Sequence, residues 1–523
     1  MLFSGTNSHA RQPAPRRLVA LVLLVGWLCC GLSCAQEQAP SAAAATPKKL
    51  PNVLFIIIDD LRPALGCYGD LALTPNIDAL AQRGTLFSRA YCQQSLCNPS
   101  RTSVLTGYRP LKTGVSLQKT EHNPQHQRFR PALREIVTLP QAFKNAGHET
   151  LALGKVHHGF GNLDDALSWS EKCWRPPFEF YHSGEWTDRT VERAPAFEAP
   201  EVDDAVTMDG QIAKRAMELL EQHRDEPFFL AVGFHKPHLP LVAPKRYWDL
   251  YDADSFPPAP APQAPQGAPD CALFDRGELR SFAGIPETGP LPPEMSANLR
   301  RGYYACVSYV DALVGELLAT LERLELTDDT IVCLWGDHGY HLEDNSLWAK
   351  QTNYEIALRA PLIIAPPGAA VGFKRGTDSP ALVELVDIFP TLCELAGLPL
   401  PPAPEEVGGL EGLSLVPLMR DPKLPWKQAV FSRVGVNNPD PEAGPRQGVG
   451  VTIRDERHRL VEWRLPWRED LPHQYELYDL ERDPHSTVNL VNNGEYQDVL
   501  QHMRKLQHTG WRGIRRRVQA ERD

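Results

Sequence analysis

The segment from Asn52 to Ile58 restricts the fold more than any other, because every residue after Asn52 is apolar and most are β-branched. A strand with one wet face alternates polar and apolar residues. A run that is apolar throughout has to be covered on both faces, as strands of a parallel sheet flanked by helices are. Similar short runs recur at Thr150 to Leu153, Phe228 to Val232, Ile331 to Trp335 and Leu362 to Ile364. Helical patterns lie between them. Thr74-Pro75 opens one that Gly84 ends, and Thr138 to Gly147 repeats the same logic. Asp209 to His223, Met295 to Leu324 and Leu382 to Ala396 supply the others. This alternation predicts an α/β fold, a large mixed or parallel sheet sandwiched by helices. Past Pro425 the character changes. Val451 to Ile453 and Arg459 to Trp463 read as short antiparallel strands and Glu495 to Leu506 as a terminal helix, which predicts a smaller C-terminal α+β subdomain.

The N-terminus has the form of a targeting segment. Arg11, Arg16 and Arg17 precede an apolar run from Leu18 to Leu28, and Ser33-Cys34-Ala35 offers a cleavage site. The run is too short for a stable membrane span. The expected organisation is a signal peptide at 1–35, a low-complexity linker at 36–50, a catalytic domain at 51–424 and a C-terminal subdomain at 425–523. Of the 11 cysteines, eight lie beyond the targeting region, and their scattered spacing predicts buried thiols with a bridge or two of undetermined pairing. The only Asn-x-Ser/Thr candidate, Asn98-Pro99-Ser100, carries the forbidden Pro. Export to a bacterial periplasm or the extracellular space is therefore favoured over a lysosomal destination. A net charge of −11 argues against nucleic acid as a partner, yet a few cations focused in one cleft still accommodate an anionic substrate.

Chemistry-bearing residues gather where the strands end. Asp59-Asp60 follows the first, Lys155-Val156-His157-His158 the second, His235-Lys236-Pro237-His238 the third and Asp337-His338 the fourth. In open α/β sheets the carboxyl ends of the strands frame the ligand crevice. Any one cluster alone reads as a turn, a helix cap or a solvated charge. Four at equivalent places predict one site.

The fifth element is Cys97-Asn98-Pro99-Ser100-Arg101-Thr102-Ser103-Val104-Leu105-Thr106-Gly107. It fits the C-x-P-S-R-x-x-x-L-T-G signature of type I sulfatases, with Pro99 placed to start a helix and Gly107 to stop it. Cys97 then lies beside a helix N-terminus, which favours an anion. On these residues the chain resembles the sulfatase family of the alkaline-phosphatase superfamily. Asp59-Asp60-Leu61-Arg62-Pro63, Leu65 to Asp70, Gly154-Lys155-Val156, His235 to His238, Asp337-His338-Gly339, Trp348-Ala349-Lys350 and Glu476 to Leu480 extend the likeness over most of the chain. The family's usual Asn is replaced by His338, and the G-K-V-x-H spacing from Gly154 resembles the iduronate-type branch.

The resemblance implies an alkaline-phosphatase-like fold and a nucleophile made by a maturation enzyme that oxidises Cys97 to formylglycine. It implies one divalent cation, usually calcium, held by Asp59, Asp60, the modified Cys97, Asp337 and His338. Arg101 would hold the nucleophilic hydroxyl and the metal site. Lys155 and Lys350 would neutralise the sulfate oxygens, and His238 would protonate the leaving sugar oxygen. His158 would regenerate the aldehyde, with His157 the alternative base on the commoner G-K-x-H spacing. The implied substrate is a sulfated saccharide, foremost a uronic acid 2-O-sulfate of a glycosaminoglycan, whose carboxylate calls for a further cation from Lys236, Arg128, Arg130 or Arg134. Two rivals stand beside this reading: a phosphate or phosphonate monoester hydrolase on the same fold, and an exported glycan-binding protein without activity. The segment His341 to Ser346 and the stretch from Lys112 to Val137 depart from the family pattern.

Overall fold

Seven strands build the central sheet of this computed structural model, which describes residues 50–116, 128–158, 165–177, 179–182, 193–252, 256–273, 277–437, 447–470 and 473–520. The targeting segment and nearly all of the linker lie outside the described residues. In chain order the strands are β1 (Asn52–Ile58), β2 (Thr85–Phe87), β3 (Glu149–Gly154), β4 (Phe228–Phe234), β5 (Thr330–Gly336), β6 (Leu362–Ala365) and β7 (Thr377–Ser379). Their spatial order is β7-β2-β6-β5-β1-β4-β3. The four strands β5, β1, β4 and β3 are neighbours and run parallel. The sheet is mixed because β6 is antiparallel to both β5 and β2.

Alternation along β1 explains its apolar run. Leu54, Ile56 and Ile58 point into one core and Val53, Phe55 and Ile57 into the other. The first core is closed by α1 (Pro75–Arg83), α4 (Met208–Gln222) and α5 (Pro293–Arg323). The second is closed by α2 (Cys97–Thr106), α3 (Leu139–Asn145) and α6 (Ile388–Ala396). Phe55 lies with its ring centroid 5.6 Å from both Phe229 and Trp335, so the middle of this face is a cluster of tilted aromatic rings. Such pairs contribute about 0.5–1.5 kcal/mol each beyond their burial. The 31-residue α5 is long and apolar enough to span a membrane, but 78% of its most apolar window is buried in the fold. Core packing accounts for its composition.

The C-terminal region forms a separate antiparallel sheet of β8 (Val430–Asn437), β9 (Gln447–Arg454), β10 (His458–Arg464) and β11 (His473–Asp479), in that order. Ile453, Leu460 and Leu477 pack under α7 (Gln497–Ala520) through Leu500, Met503 and Leu506. The helix kinks at Gly510, whose φ of 65° leaves the helical region.

Two expectations are corrected. The pattern from Leu382 to Ala396 is not one helix. Val383–Glu384 pairs as a strand, and α6 starts at Ile388. Glu384 and Asp387 satisfy one another's backbone there, and the buried Lys427 ammonium bonds both carboxylates at 2.9 and 2.6 Å. The expected disulfides are also missing from seven of the described cysteines: Cys67, Cys92, Cys97, Cys271, Cys306, Cys333 and Cys393 are free thiols.

Candidate active site

Parallel strands deliver their carboxyl ends to one edge of the sheet, so the four polar clusters meet there. Asp59-Asp60 leaves β1, its neighbours β5 and β4 bring Asp337-His338 and His235 to His238, and β3 beyond β4 brings Lys155 to His158. Close approach of two backbones sets the position of Lys155. A Cβ on Gly233 would lie 2.3 Å from the carbonyl carbon and oxygen of Lys155, and one on Gly154 would lie 2.3 Å from the Gly233 oxygen. Gly233→Ala is therefore expected to push the end of β3 outward and lower kcat/KM about 100-fold, the effect of misplacing a catalytic group by about 1 Å. Steady-state kinetics alongside a melting curve tests this, and unchanged kcat/KM would refute it.

Helix α2 carries the cysteine motif to the same place. All ten of its residues are buried although six of them are polar. Burial is tolerated because the hydroxyls bond carbonyls one turn back: Ser103 Oγ donates to the Pro99 oxygen and Thr106 Oγ1 to the Thr102 oxygen, both at 2.7 Å. Pro99 falls in the first turn, where a missing N–H costs nothing. Gly107 ends the helix at φ 75°, and a side chain there would strike Leu410. Cys97 is the first helical residue, at the positive end of the dipole.

Around Cys97 the groups interlock. Its Sγ lies 3.3 Å from His338 Nε2 and 3.6 Å from Asp60 Oδ1. Arg101, fully buried, donates from Nε to Asp337 Oδ2 and from Nη2 to Asp59 Oδ1, each at 2.8 Å. Lys155 Nζ pairs with Asp59 Oδ2. Lys350 Nζ reaches both oxygens of Asp60, at 2.8 and 2.7 Å. Three buried carboxylates thus face three buried cations. Burial alone would discharge Lys350 and Lys155, but Asp60 and Asp59 outweigh it and hold both ammonium groups charged. Burial likewise opposes ionisation of Asp59, and Lys155 with Arg101 holds its carboxyl well below the usual range. The Cys97 thiol is pushed up by burial and by Asp59, so the unmodified side chain is a poor nucleophile.

The remaining site residues are placed as follows. His238 Nε2 lies 3.9 Å from Asp60 Oδ2, and its Nδ1 sits 2.6 Å from the Leu239 oxygen. His158 and His157 part company. His158 is held neutral by burial and then by Lys155, and its Nδ1 has no hydrogen-bond partner among the described residues. His157 stacks on Phe129 at 6.5 Å, and burial pulls it down to about 4. The site cations act on His158 foremost, whereas the largest charge acting on His157 is Asp165. Lys350 comes from a tight loop in which Glu343, Asn345, Ser346, Ala349 and Gln351 all have positive φ, a conformation costly for side-chain-bearing residues. The Gln351 N–H donates to the Ser95 oxygen at 3.0 Å and ties that loop to the cysteine segment.

Lys236 is a correction. Its ammonium is buried and donates to the carbonyls of His238 and Pro240 at 3.1 and 2.5 Å, with the Phe180 ring 4.5 Å away. It braces its own turn and is not offered to a ligand. Arg130 is equally engaged, with Asp165 at 2.5 Å and the Ile136 oxygen at 2.7 Å, while Arg128 and Arg134 are exposed. The stretch 117–127 between Ser116 and Arg128 lies outside the described residues.

Three residues of the site escaped the sequence reading. Asp209 accepts the N–H groups of His235 and Lys236 at 2.9 and 2.8 Å and so shapes the turn that presents His238. Tyr303 accepts the Arg62 N–H at 2.9 Å and donates to the Asp60 oxygen at 2.8 Å, fixing Asp60 at a φ of 59°. Glu278 Oε1 lies 3.0 Å from Lys350 Nζ and 3.2 Å from His238 Nε2. An acid at a helix start, a Tyr in an apolar helix and an isolated Glu carry no local signal of such roles.

The donor set fits a hard cation. Asp59, Asp60, Cys97 and His238 present ligand atoms within 4.8 Å of one another, as do Cys97, Asp337 and His338. Asp59, Asp60 and Asp337 supply the carboxylate oxygens that a hard cation takes, and the imidazoles of His338 and His238 stand beside them.

Comparison with known proteins bears on this geometry. A family model described as Sulfatase matches residues 51–398, and one described as N-sulphoglucosamine sulphohydrolase, C-terminal, matches residues 343–509. Iduronate 2-sulfatase of Homo sapiens is 32% identical over 563 aligned residues, covering 94% of this chain and 99% of that protein. Among solved structures, the phosphonate monoester hydrolase of Agrobacterium radiobacter superposes with a TM-score of 0.68 at 23% identity, covering 88% of this chain and 95% of that one. A protein solved in complex with its substrate D-glucosamine-2-N,6-O-disulfate gives 0.66 at 21% identity, covering 89% and 98%. At such identities the two structures speak to the fold, a mixed sheet between helices with a smaller C-terminal region.

Proposed function

The chain belongs to the sulfatase family and is a sulfuric ester hydrolase, and from that premise we propose that it removes the 2-O-sulfate of a uronic acid in glycosaminoglycan fragments. The observation that carries the chemistry is the meeting of Asp59, Asp60, Asp337 and His338 around Cys97, with Arg101, Lys155 and Lys350 as their counter-charges. The observation that favours the uronate is the near full-length match to iduronate 2-sulfatase together with His338 and the Gly154 to His158 spacing.

Asp59, Asp60, Asp337, His338 and position 97 would hold the divalent cation, calcium in our reading, since calcium takes mainly carboxylate oxygens. When bound, the cation supplies Lewis-acid activation of a hydroxyl at position 97. Converted to formylglycine, position 97 supplies a hydrated aldehyde, with one hydroxyl to attack sulfur and a second to expel sulfate. The other residues do the rest. Arg101 locks Asp59 and Asp337 in register, so the carboxylates need no reorganisation during reaction. Lys155 and Lys350, both kept charged, neutralise the sulfate oxygens. His238 keeps Nδ1 on the Leu239 carbonyl and presents Nε2 as the proton donor to the leaving sugar oxygen. His158, held neutral, is the proton acceptor at position 97.

We further infer that a maturation enzyme acts on the segment from Cys97 to Gly107. The basic and apolar N-terminal segment supports export to a periplasm or the extracellular space. The catalytic domain is assigned to 51–424 and the C-terminal subdomain to 425–523.

Substrate choice is tested by comparing a 2-sulfated unsaturated uronate disaccharide with glucosamine 6-sulfate and a simple aryl sulfate. The uronate is expected to show a kcat/KM at least about tenfold above either, a discrimination of about 1.4 kcal/mol. Preference for glucosamine 6-sulfate or the aryl ester would remove the uronate assignment and leave sulfate hydrolysis standing.

A further inference from the structure

We propose that Glu278 sets the charge of the ester group this pocket accepts at its reacting end, admitting ester groups with one negative charge and turning away ester groups with two. The inference rests on the sulfatase reading and concerns a residue that lies on none of the strand ends. A single oxygen of Glu278, Oε1, receives both Lys350 Nζ at 3.0 Å and His238 Nε2 at 3.2 Å. These are two of the three groups assigned to the ester's own oxygens, so the carboxylate stands where the transferred group has to arrive. Both ion pairs of Glu278 among the described residues are with the site itself.

The place of the negative charge is what selects. Asp59, Asp60 and Asp337 are balanced by Arg101, Lys155 and Lys350. Glu278 adds a further negative charge, kept ionised because Lys350 and His238 outweigh the burial that opposes it. An arriving ester can turn the side chain aside but cannot send the charge away. The backbone is anchored at Leu279, which is 1% exposed, and Ser281 Oγ donates to the Glu278 oxygen at 2.8 Å. A sulfate ester or a phosphonate monoester brings one charge. A phosphate monoester, with a second ionisation near pH 6, brings close to two at neutral pH. Its extra charge meets the carboxylate at a few ångströms in a largely buried site, where repulsion is strong enough for discrimination of tenfold or more. A cation held by the aspartates would favour the more highly charged ester, and would do so alike with and without the Glu278 carboxylate, so a change of ratio on its removal reports the carboxylate.

The test uses three aryl esters of one phenol, the sulfate, the phosphonate monoester and the phosphate, at pH 8 with the mature holoenzyme and Glu278→Gln. The ratio of kcat/KM for phosphate to that for sulfate should rise at least about tenfold in the variant. The phosphonate-to-sulfate ratio should stay within about twofold, because those esters carry equal charge. Glu278→Asp, which keeps the charge, should retain the wild-type ratios, and Glu278→Ala, which removes it with a different shape, should shift them as Gln does. Equal loss on all three esters would overturn the proposal, as would a phosphate ratio that does not move. Failure of the sulfatase reading would show separately, as wild-type protein that cleaves the phosphonate or phosphate ester and not the sulfate.

Discussion

Cys97→Ser is expected to lower turnover of an aryl sulfate by about 10⁴-fold or more, the scale seen when a nucleophile is removed, in a protein that still folds. Serine is close in shape to cysteine and sits well at the start of a helix. Its hydroxyl can take over the contacts that Sγ makes with His338 at 3.3 Å and Asp60 at 3.6 Å. What serine lacks is a second hydroxyl on the same carbon, without which a sulfated position 97 has no internal route to release sulfate. The variant should therefore melt near the parent temperature, and any turnover should stop after a single event per site. Sustained multiple turnover by the serine variant would sink the mechanism.

Asp337→Asn is expected to cost activity by about 10³-fold and to be the more disruptive change for stability. Asp337 Oδ1 accepts the Asp60 N–H at 3.0 Å and Oδ2 accepts Arg101 Nε at 2.8 Å, all fully buried. The amide keeps the shape but leaves the Arg101 guanidinium with one carboxylate instead of two. Breaking a buried ion pair by removing one partner typically costs about 3–5 kcal/mol. Part of that should be spared here, because Arg101 retains Asp59 at 2.8 Å. The same change takes a hard ligand from the cation site. Metal content by elemental analysis and a thermal melt separate the two effects, and a variant with full metal content and unchanged melting would contradict both.

The sequence announced the site more fully than its surroundings. Clusters such as Asp59-Asp60 and Asp337-His338 were legible because the strands before them are apolar on both faces, which fixes parallel neighbours and one shared edge. Lys350 was reachable only through family resemblance, since it is delivered by a loop of left-handed residues that no periodicity encodes. The direction of β6 was hidden for a related reason: four apolar residues look alike in either direction. Glu278 and Asp209 were invisible because their meaning is tertiary, each bonding groups far along the chain or on another element. Lys236 illustrates the converse. Its charge made it a plausible ligand on paper, and the fold uses that charge internally on two carbonyls.

Mass spectrometry of the peptide spanning position 97, taken from protein that is turning over a sulfate ester, tests the central claim most directly. The expected result is an aldehyde or its hydrate in place of the thiol, with the converted fraction rising and falling in proportion to kcat across preparations made with and without a maturation enzyme. Full activity in protein whose position 97 is wholly unmodified cysteine would contradict the account.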